Sequence, residues 1–219
     1  MGSEFKDTYR QKGLRKRLVG NLRKKGIKDE RILEVFWELP RHYFLDVAFD
    51  EWAYKDQAFR IDCEQTISQP YTVARQTEWL DLKSGMKVLE VGTGSGYQAA
   101  VLSSLGAKVY TIERIEALYK LCKERLAALG FGDIHMRHGD GFQGWPEEAP
   151  FDRILITAAP DEVPLDLLQQ LKVGGWMIVP VGAEKGDQKM YKIKRTGKTS
   201  FQRQVLGTYR FVPMKKGLQ

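Results

Sequence analysis

Apolar positions recur at two different periods along this chain, and the change of period divides it. Leu14, Leu18 and Leu22 return every fourth residue among lysines and arginines, which predicts one apolar stripe on a basic helix. Ile32, Leu33, Phe36 and Leu39 predict the buried face of a second helix, opened by Asp29 as N-cap and stopped by Pro40. The stretch Pro40–Gln69 follows neither period; it is rich in aromatic and charged residues and reads mostly as loop. Pro70 opens a third helix through Leu82, because proline is tolerated in a first turn, and Gly85 ends that region. From Lys87 onward, short apolar runs alternate with helical patterns. The series is strand Val88–Val91, helix Tyr97–Leu105, strand Val109–Glu113, helix Ile115–Leu129 and strand Ile134–Arg137. Strand Arg153–Thr157, helix Leu165–Leu171 and strand Trp176–Val181 follow. Met190–Arg195 and Gln202–Val212 then read as two strands joined around Gly197-Lys198, an antiparallel hairpin at a sheet edge.

Alternation of this kind predicts an α/β fold, with a Rossmann-like, doubly wound, mostly parallel sheet covered on both faces. The expectation is a single domain over 1–219. Residues 6–85 form an N-terminal helical extension and active-site segment, residues 86–219 form the α/β core, and the core ends in the antiparallel edge hairpin. Met1–Phe5 is left out of this argument.

Composition changes the picture only in part. The 219 residues are 42% hydrophobic, enough for a sizeable core. No apolar run approaches the roughly 18 residues of a membrane span, and no charged-then-apolar leader opens the chain. Cys63 and Cys122 show no metal or redox spacing, so no metal is expected, and they fit a reducing cytoplasm. The net charge of +7 is uneven. Residues 1–30 hold ten Lys/Arg against four acids, residues 185–219 ten against one, and the middle carries −8. Basic ends around an acidic middle read as solvated surfaces; the alternative is attraction of anionic partners, including nucleic acid. No basic motif with interleaved aromatics supports that alternative.

The candidate chemistry centres on Val88–Ala100, VLEVGTGSGYQAA. A strand enters the turn Gly92-Thr93-Gly94-Ser95-Gly96, and a helix leaves it. Glycines allow the backbone to approach a ligand closely. Glu113, about 20 residues after the turn, ends the next strand, where a carboxylate can accept from ribose hydroxyls. Dinucleotide sites prefer G-x-G-x-x-G, but here only Ser95 separates the second and third glycines, and no P-loop lysine follows. Glu90, inside the strand, suits a cationic ligand better than a pyrophosphate. Asp140, in Gly139-Asp140-Gly141 beyond the third strand, can accept from an adenine amino group; taken alone it is an ordinary Asp-Gly turn.

The E-V-G-T-G-S-G form resembles the first motif of class I S-adenosylmethionine-dependent methyltransferases. Gln65-Thr66-Ile67-Ser68-Gln69-Pro70, with Pro40-Arg41-His42-Tyr43-Phe44, GDG, APFDRILITAA, Leu171-Lys172-Val173-Gly174-Gly175 and the late FVP, is similar to the protein-L-isoaspartate O-methyltransferases, from about Leu14 to Pro213. QTISQP is the specific part of this resemblance. It implies S-adenosylmethionine as cofactor, and methyl transfer to the free α-carboxylate of L-isoaspartyl residues in damaged proteins and peptides, initiating their repair. It places the active-site serine on Ser68. It places cofactor contacts on Gln65, Thr66, Ile67, Ser68, Gly92, Glu113, Arg114, Asp140 and Gly141; the motif adds Glu90, Thr93, Gly94 and Gly96. The plainer reading of Ser68 is a helix cap before Pro70. Where many relatives have Pro-Ile and small residues, this chain has Arg60-Ile61-Asp62-Cys63-Glu64, which bears on peptide preference more than on chemistry.

Isoaspartyl methylation asks for no general base, because a carboxylate of pKa about 4 is already ionised at neutral pH. His42, His135 and His138 therefore read as structural or surface residues. A nucleic-acid methyltransferase is the main alternative, yet Thr157-Ala158-Ala159-Pro160 stands where amino-methylating enzymes carry Asn/Asp-Pro-Pro-aromatic. A non-catalytic cofactor-binding module and a nicotinamide oxidoreductase are more distant. The expected protein is a cytoplasmic monomer with no membrane or specific nucleic-acid partner.

Overall fold

The computed structural model describes residues 5–219; of the Met1–Phe5 segment set aside above, the first four residues lie outside the described residues. Helix α1 (Tyr9–Lys24) opens on a capping box, in which Thr8 Oγ1 accepts from Gln11 N and Gln11 Oε1 accepts from Thr8 N. Helix α2 (Glu30–Glu38) is capped by Asp29, whose Oδ1 accepts from Arg31 N at 3.0 Å. Helix α3 (Pro70–Leu80) stops at Asp81, which turns left-handed (φ 47), and not at Gly85 as the sequence suggests.

The segment expected as loop carries more order than its pattern shows. Two 3-10 turns, Arg41–Phe44 and Val47–Trp52, precede a two-stranded hairpin of β1 (Phe59–Arg60) and β2 (Thr66–Ile67). No period is readable in pieces this short, and packing of the local aromatics holds them: Phe49 and Trp52 lie 4.8 and 5.7 Å from Phe59.

The main sheet contains β3 (Lys87–Val91), β4 (Lys108–Glu113), β5 (His135–His138), β6 (Phe151–Ile156), β7 (Leu171–Val181), β8 (Gln188–Arg195) and β9 (Phe201–Tyr209). Its order is β5-β4-β3-β6-β7-β8-β9. The first five strands of that order are parallel, and β8 and β9 close the edge antiparallel. Helices α4 (Tyr97–Ser104), α5 (Glu116–Ala128) and α6 (Leu165–Gln169) complete the fold. Strand β7 starts earlier than its apolar run predicts, and β9 ends earlier, so that 210–213 leaves the sheet.

Successive strand residues serve opposite faces, as the period of two demands. Val88, Val109 and Leu155 join a cluster with Leu18, Leu22, Phe36 and Val73 from the N-terminal helices. Leu89, Ile112, Ile154 and Ile156 join the other cluster, with Leu167 and Leu168 of α6. The chain runs β3→β4→β5 in one direction and then returns to place β6 against the other side of β3. This reversal opens a crevice at the carboxyl ends of β3 and β6, where open α/β sheets bind ligands.

Candidate active site

The glycine turn sits over that crevice. Gly92 (φ 98) and Gly96 (φ 86) are both left-handed. A Cβ on Gly92 would stand 2.5 Å from Thr157 Oγ1, and one on Gly96 would stand 2.6 Å from Cys122 Sγ. Any larger residue is thus excluded by both backbone and space. The Gly92 and Thr93 amides donate to the Ile112 carbonyl at 2.9 and 3.2 Å, tying the turn to β4.

Glu113 ends β4 with its carboxylate held by two backbone amides, Gly94 N on Oε2 at 2.9 Å and Ile115 N on Oε1 at 3.0 Å. Each oxygen keeps a further lone pair, and the residue lines a cleft of about 340 Å³. Gln65, Thr66, Gly92, Gly94, Arg114 and Gly141 share that cleft. A second cavity of about 760 Å³ lies beside it, lined by Ser68, Gln69, Tyr71 and Thr72 on one side and by Thr208–Val212 on the other. Thr66, Thr157 and Val212 border both cavities.

Several residues expected as direct contacts stand behind this wall. Glu90 is fully buried and lines neither cavity; its Oε2 accepts from Thr111 Oγ1 at 2.6 Å, which in turn lies 2.8 Å from Thr93 Oγ1. It stands in mid-strand, and the pleat turns its side chain into the layer under the turn, so the chain Glu90–Thr111–Thr93 braces the turn from below. Burial pushes the Glu90 carboxyl up to about 8, with the nearby Glu113 adding to the rise and the Thr111 bond opposing it. Thr93 and Gly96 likewise shape the turn without lining the cleft, and Ile67 is a buried apolar contact. Ser68 does not cap α3: Gln69 is the cap residue and no side-chain cap bond forms.

Asp140 is placed beside the cleft, and like Glu113 it accepts one backbone bond on each oxygen, Oδ1 from Phe142 N at 2.9 Å and Oδ2 from Gly217 N at 2.8 Å. The segment Met214–Gln219 crosses the carboxyl ends of three strands. It bonds Ala159 through Met214 N, Arg114 through the Gly217 carbonyl and Gln219 Oε1, and Glu116 N through the Gln219 carbonyl. Met214 and Lys215 line the cleft. Sequence reasoning missed this wall, and it missed Thr157, whose Oγ1 donates to the Val91 and Gly92 carbonyls. Its place at the end of β6, opposite the glycine turn, was the available signal for Thr157; the late segment carries no pattern of its own. The histidines take structural partners: His42 bonds Tyr54 Oη and the Lys6 carbonyl, His138 the Arg114 carbonyl, and His135 stacks on Tyr110.

A parallel sheet reversing at β3, a three-glycine turn and a backbone-held acid at the end of the next strand define an S-adenosylmethionine-dependent methyltransferase of the Rossmann-like class. Comparison with known families narrows this further. Residues 13–219 match the family described as Protein-L-isoaspartate(D-aspartate) O-methyltransferase (PCMT), and the chain belongs to that family. A protein-L-isoaspartate O-methyltransferase of Christiangramia forsetii is 52% identical over 210 residues, covering 96% of this chain and 98% of the relative. One of Parvibaculum lavamentivorans is 51% identical over 203 residues, covering 92% and 91%. A solved protein-L-isoaspartate O-methyltransferase superposes with a TM-score of 0.84 at 33% identity, over 93% of this chain and 67% of that one. A Plasmodium falciparum structure described as a candidate member, in complex with S-adenosyl-L-homocysteine, gives 0.80 at 26% identity, over 92% and 98%. The protein is accordingly a methyltransferase of isoaspartyl residues that uses S-adenosylmethionine.

Proposed function

We propose that the smaller cleft holds S-adenosylmethionine and that the larger cavity presents the acceptor carboxylate to it from the Ser68 side. The observation that carries this is the shared border of Thr66, Thr157 and Val212 between the two cavities. The cleft fits an adenosine-bearing cation: Glu113 offers lone pairs, and Gly94 leaves its face open, with Ile61 Cδ1 the nearest atom to a would-be Cβ at 3.9 Å.

In this reading Glu113 accepts from the ribose hydroxyls, Asp140 and Gly141 bound the adenine, and Gly92 and Gly94 let the backbone approach. Thr93, Gly96 and Glu90 hold the turn in shape. Gln65 and Thr66 close the cleft from the β2 side, and Ile67 anchors that strand in the core. Ser68 donates its hydroxyl to the acceptor carboxylate and fixes its direction. The bound cofactor supplies an electrophilic methyl group next to a sulfonium. An acceptor carboxylate held at Ser68 is already ionised, so none of these residues need take or give a proton, and opposite charges would be neutralised on transfer. Catalysis is then alignment of carboxylate and methyl group in a site shielded from water.

We further propose that 6–85 and 86–219 act as one unit, which the continuity of Leu22, Val88 and Met190 within one cluster supports. The free thiols of exposed Cys63 and buried Cys122 favour a cytoplasmic setting, and we expect a monomer with neither membrane nor specific nucleic-acid partner.

The test is transfer of labelled methyl to matched isoaspartyl and aspartyl peptides. Label should enter only the isoaspartyl peptide and leave it as methanol on mild alkaline incubation, because the following backbone nitrogen closes a succinimide and expels methanol. Label that remains on the acceptor would indicate a methylated amine or base and overturn the carboxylate assignment.

A further inference from the structure

Arg41 is the largest fully enclosed side chain of the fold, 1% exposed. Its Nη2 donates to the main-chain carbonyl of Ser68 at 2.7 Å. Its guanidinium carbon lies 4.8 Å from the centre of the Tyr97 ring. Tyr97 is the first residue of α4, directly after Gly96. Phe36 and Phe44 meet the same ring edge-on, at 5.8 and 5.2 Å between centroids. One side chain from the N-terminal segment thus joins the backbone of the acceptor serine to the helix that leaves the glycine turn.

Packing alone does not account for an arginine here. Among the described residues, Arg41 Nε and Nη1 and the Tyr97 hydroxyl have no hydrogen-bond partner, and no carboxylate forms an ion pair with Arg41. Asp56 is the acid whose field reaches it, yet Asp56 spends its oxygens on Lys25 Nζ and Tyr71 N. Burial pushes the guanidinium down to about 10, which still leaves it a cation at neutral pH. An enclosed cation with one hydrogen bond is costly, and an apolar side chain of similar volume is often more stable in such a place. A stability cost at a residue that grips Ser68 points to function.

We propose that Arg41 is a positioning residue for the acceptor, clamping the Ser68 backbone against Tyr97 so that the Ser68 hydroxyl keeps a fixed place relative to the glycine turn. The proposal rests on the acceptor role of Ser68 given above. Pro70 fixes the chain on the far side of Ser68, and Gln69 is held by its Nε2 donating to the Asp56 carbonyl at 3.0 Å. Arg41 supplies the remaining constraint, from below.

The experiment compares wild type, Arg41→Met and Arg41→Lys in three measurements: thermal midpoint, affinity for S-adenosylhomocysteine, and kcat and KM with an isoaspartyl peptide. Wild-type turnover is measured first, so loss of the isoaspartyl reading itself would show there and not in the variants. Arg41→Met should hold or raise the thermal midpoint and bind S-adenosylhomocysteine within about twofold of wild type, while kcat/KM falls by about tenfold or more, the scale of a lost charged hydrogen bond. Arg41→Lys, which keeps one donor and the charge, should recover part of that loss. Two results would overturn the proposal. One is a folded Arg41→Met variant with wild-type kcat/KM. The other is a variant, Met or Lys, whose thermal midpoint and S-adenosylhomocysteine affinity fall together with activity, since that is the signature of a purely structural arginine.

Discussion

The two sides of the proposed site are built in different ways. The floor of the cofactor side is made of backbone and local sequence: the Gly92–Gly96 turn, the Glu113 carboxylate held by Gly94 N and Ile115 N, and β4 accepting the turn's amides all lie within 24 residues, and its rim, from Gln65, Thr66, Met214 and Lys215, comes from afar. The acceptor side is assembled from far apart. Arg41 reaches Ser68, Asp56 reaches Gln69 and Tyr71, and Thr208–Val212 arrives from the other end of the chain. A site made of local backbone geometry tolerates little change in a few residues. A site made of distant side chains distributes its dependence over many positions; the Arg60–Glu64 lead-in does not border the acceptor cavity, and its Glu64 lines the cofactor cleft instead.

If the comparison is right, Glu113→Ala should act on the cofactor alone. It removes an acceptor from the cleft and leaves two backbone amides without partners, so S-adenosylhomocysteine affinity should weaken by roughly 1.5–3 kcal/mol. Titration calorimetry reads this directly. Unchanged affinity in a folded variant would remove Glu113 from the cofactor side.

Glu90 tests whether the layer beneath the turn carries a buried neutral acid. Its folded pKa of about 8 lies above its ordinary value of 4.5, so the folded protein holds a proton that the unfolded chain releases. Stability should therefore fall as pH rises from about 4.5 toward 8. Glu90→Gln keeps an acceptor for Thr111 and has no proton to lose, so its urea midpoints at about pH 5 and about pH 8 should differ less than those of the wild type. An equal difference in both proteins would show that Glu90 is ionised in the fold.

Ser68→Ala should do the converse of Glu113→Ala. We expect kcat/KM for an isoaspartyl peptide to fall by about tenfold, one ordinary hydrogen bond's worth, with S-adenosylhomocysteine affinity unchanged. Loss of cofactor affinity with normal turnover of the bound complex would move Ser68 to the other side of the comparison.

The same contrast explains what was legible in the chain. The glycine turn, Glu113 and the strand–helix alternation depend on neighbours in sequence, so pattern and spacing reveal them. Asp29 as a helix cap is legible for the same reason. Glu90 stands out in the sequence as an acid inside an apolar strand, while its place beneath the turn does not, because strand pattern does not say which layer a buried acid occupies. The hairpin of β1 and β2, the 3-10 turns and the crossing of Met214–Gln219 over Asp140 are fixed by long-range contacts, and no local period announces them. QTISQP was recognisable as a motif, while its support from Arg41 was not.

The smallest effect concerns the turn between β1 and β2. Cys63 and Glu64 both adopt left-handed backbone (φ 56 and 57) between β1 and β2, a conformation that costs a non-glycine residue about 1 kcal/mol. Cys63→Gly should therefore raise the thermal midpoint by a degree or a few, on the order of 1 kcal/mol or less. A lowered midpoint would mean that the Cys63 side chain contributes packing beyond what its exposed position suggests.

The most direct test of a two-sided site is a crystal structure of the complex with S-adenosylhomocysteine and an isoaspartyl peptide. The account predicts the ribose against Glu113 in the smaller cleft, the peptide α-carboxylate against the Ser68 hydroxyl in the larger cavity, and the sulfur facing that carboxylate across the Thr66, Thr157 and Val212 border. A peptide carboxylate bound away from Ser68, or a cofactor seated in the Tyr71–Phe211 cavity, would contradict it.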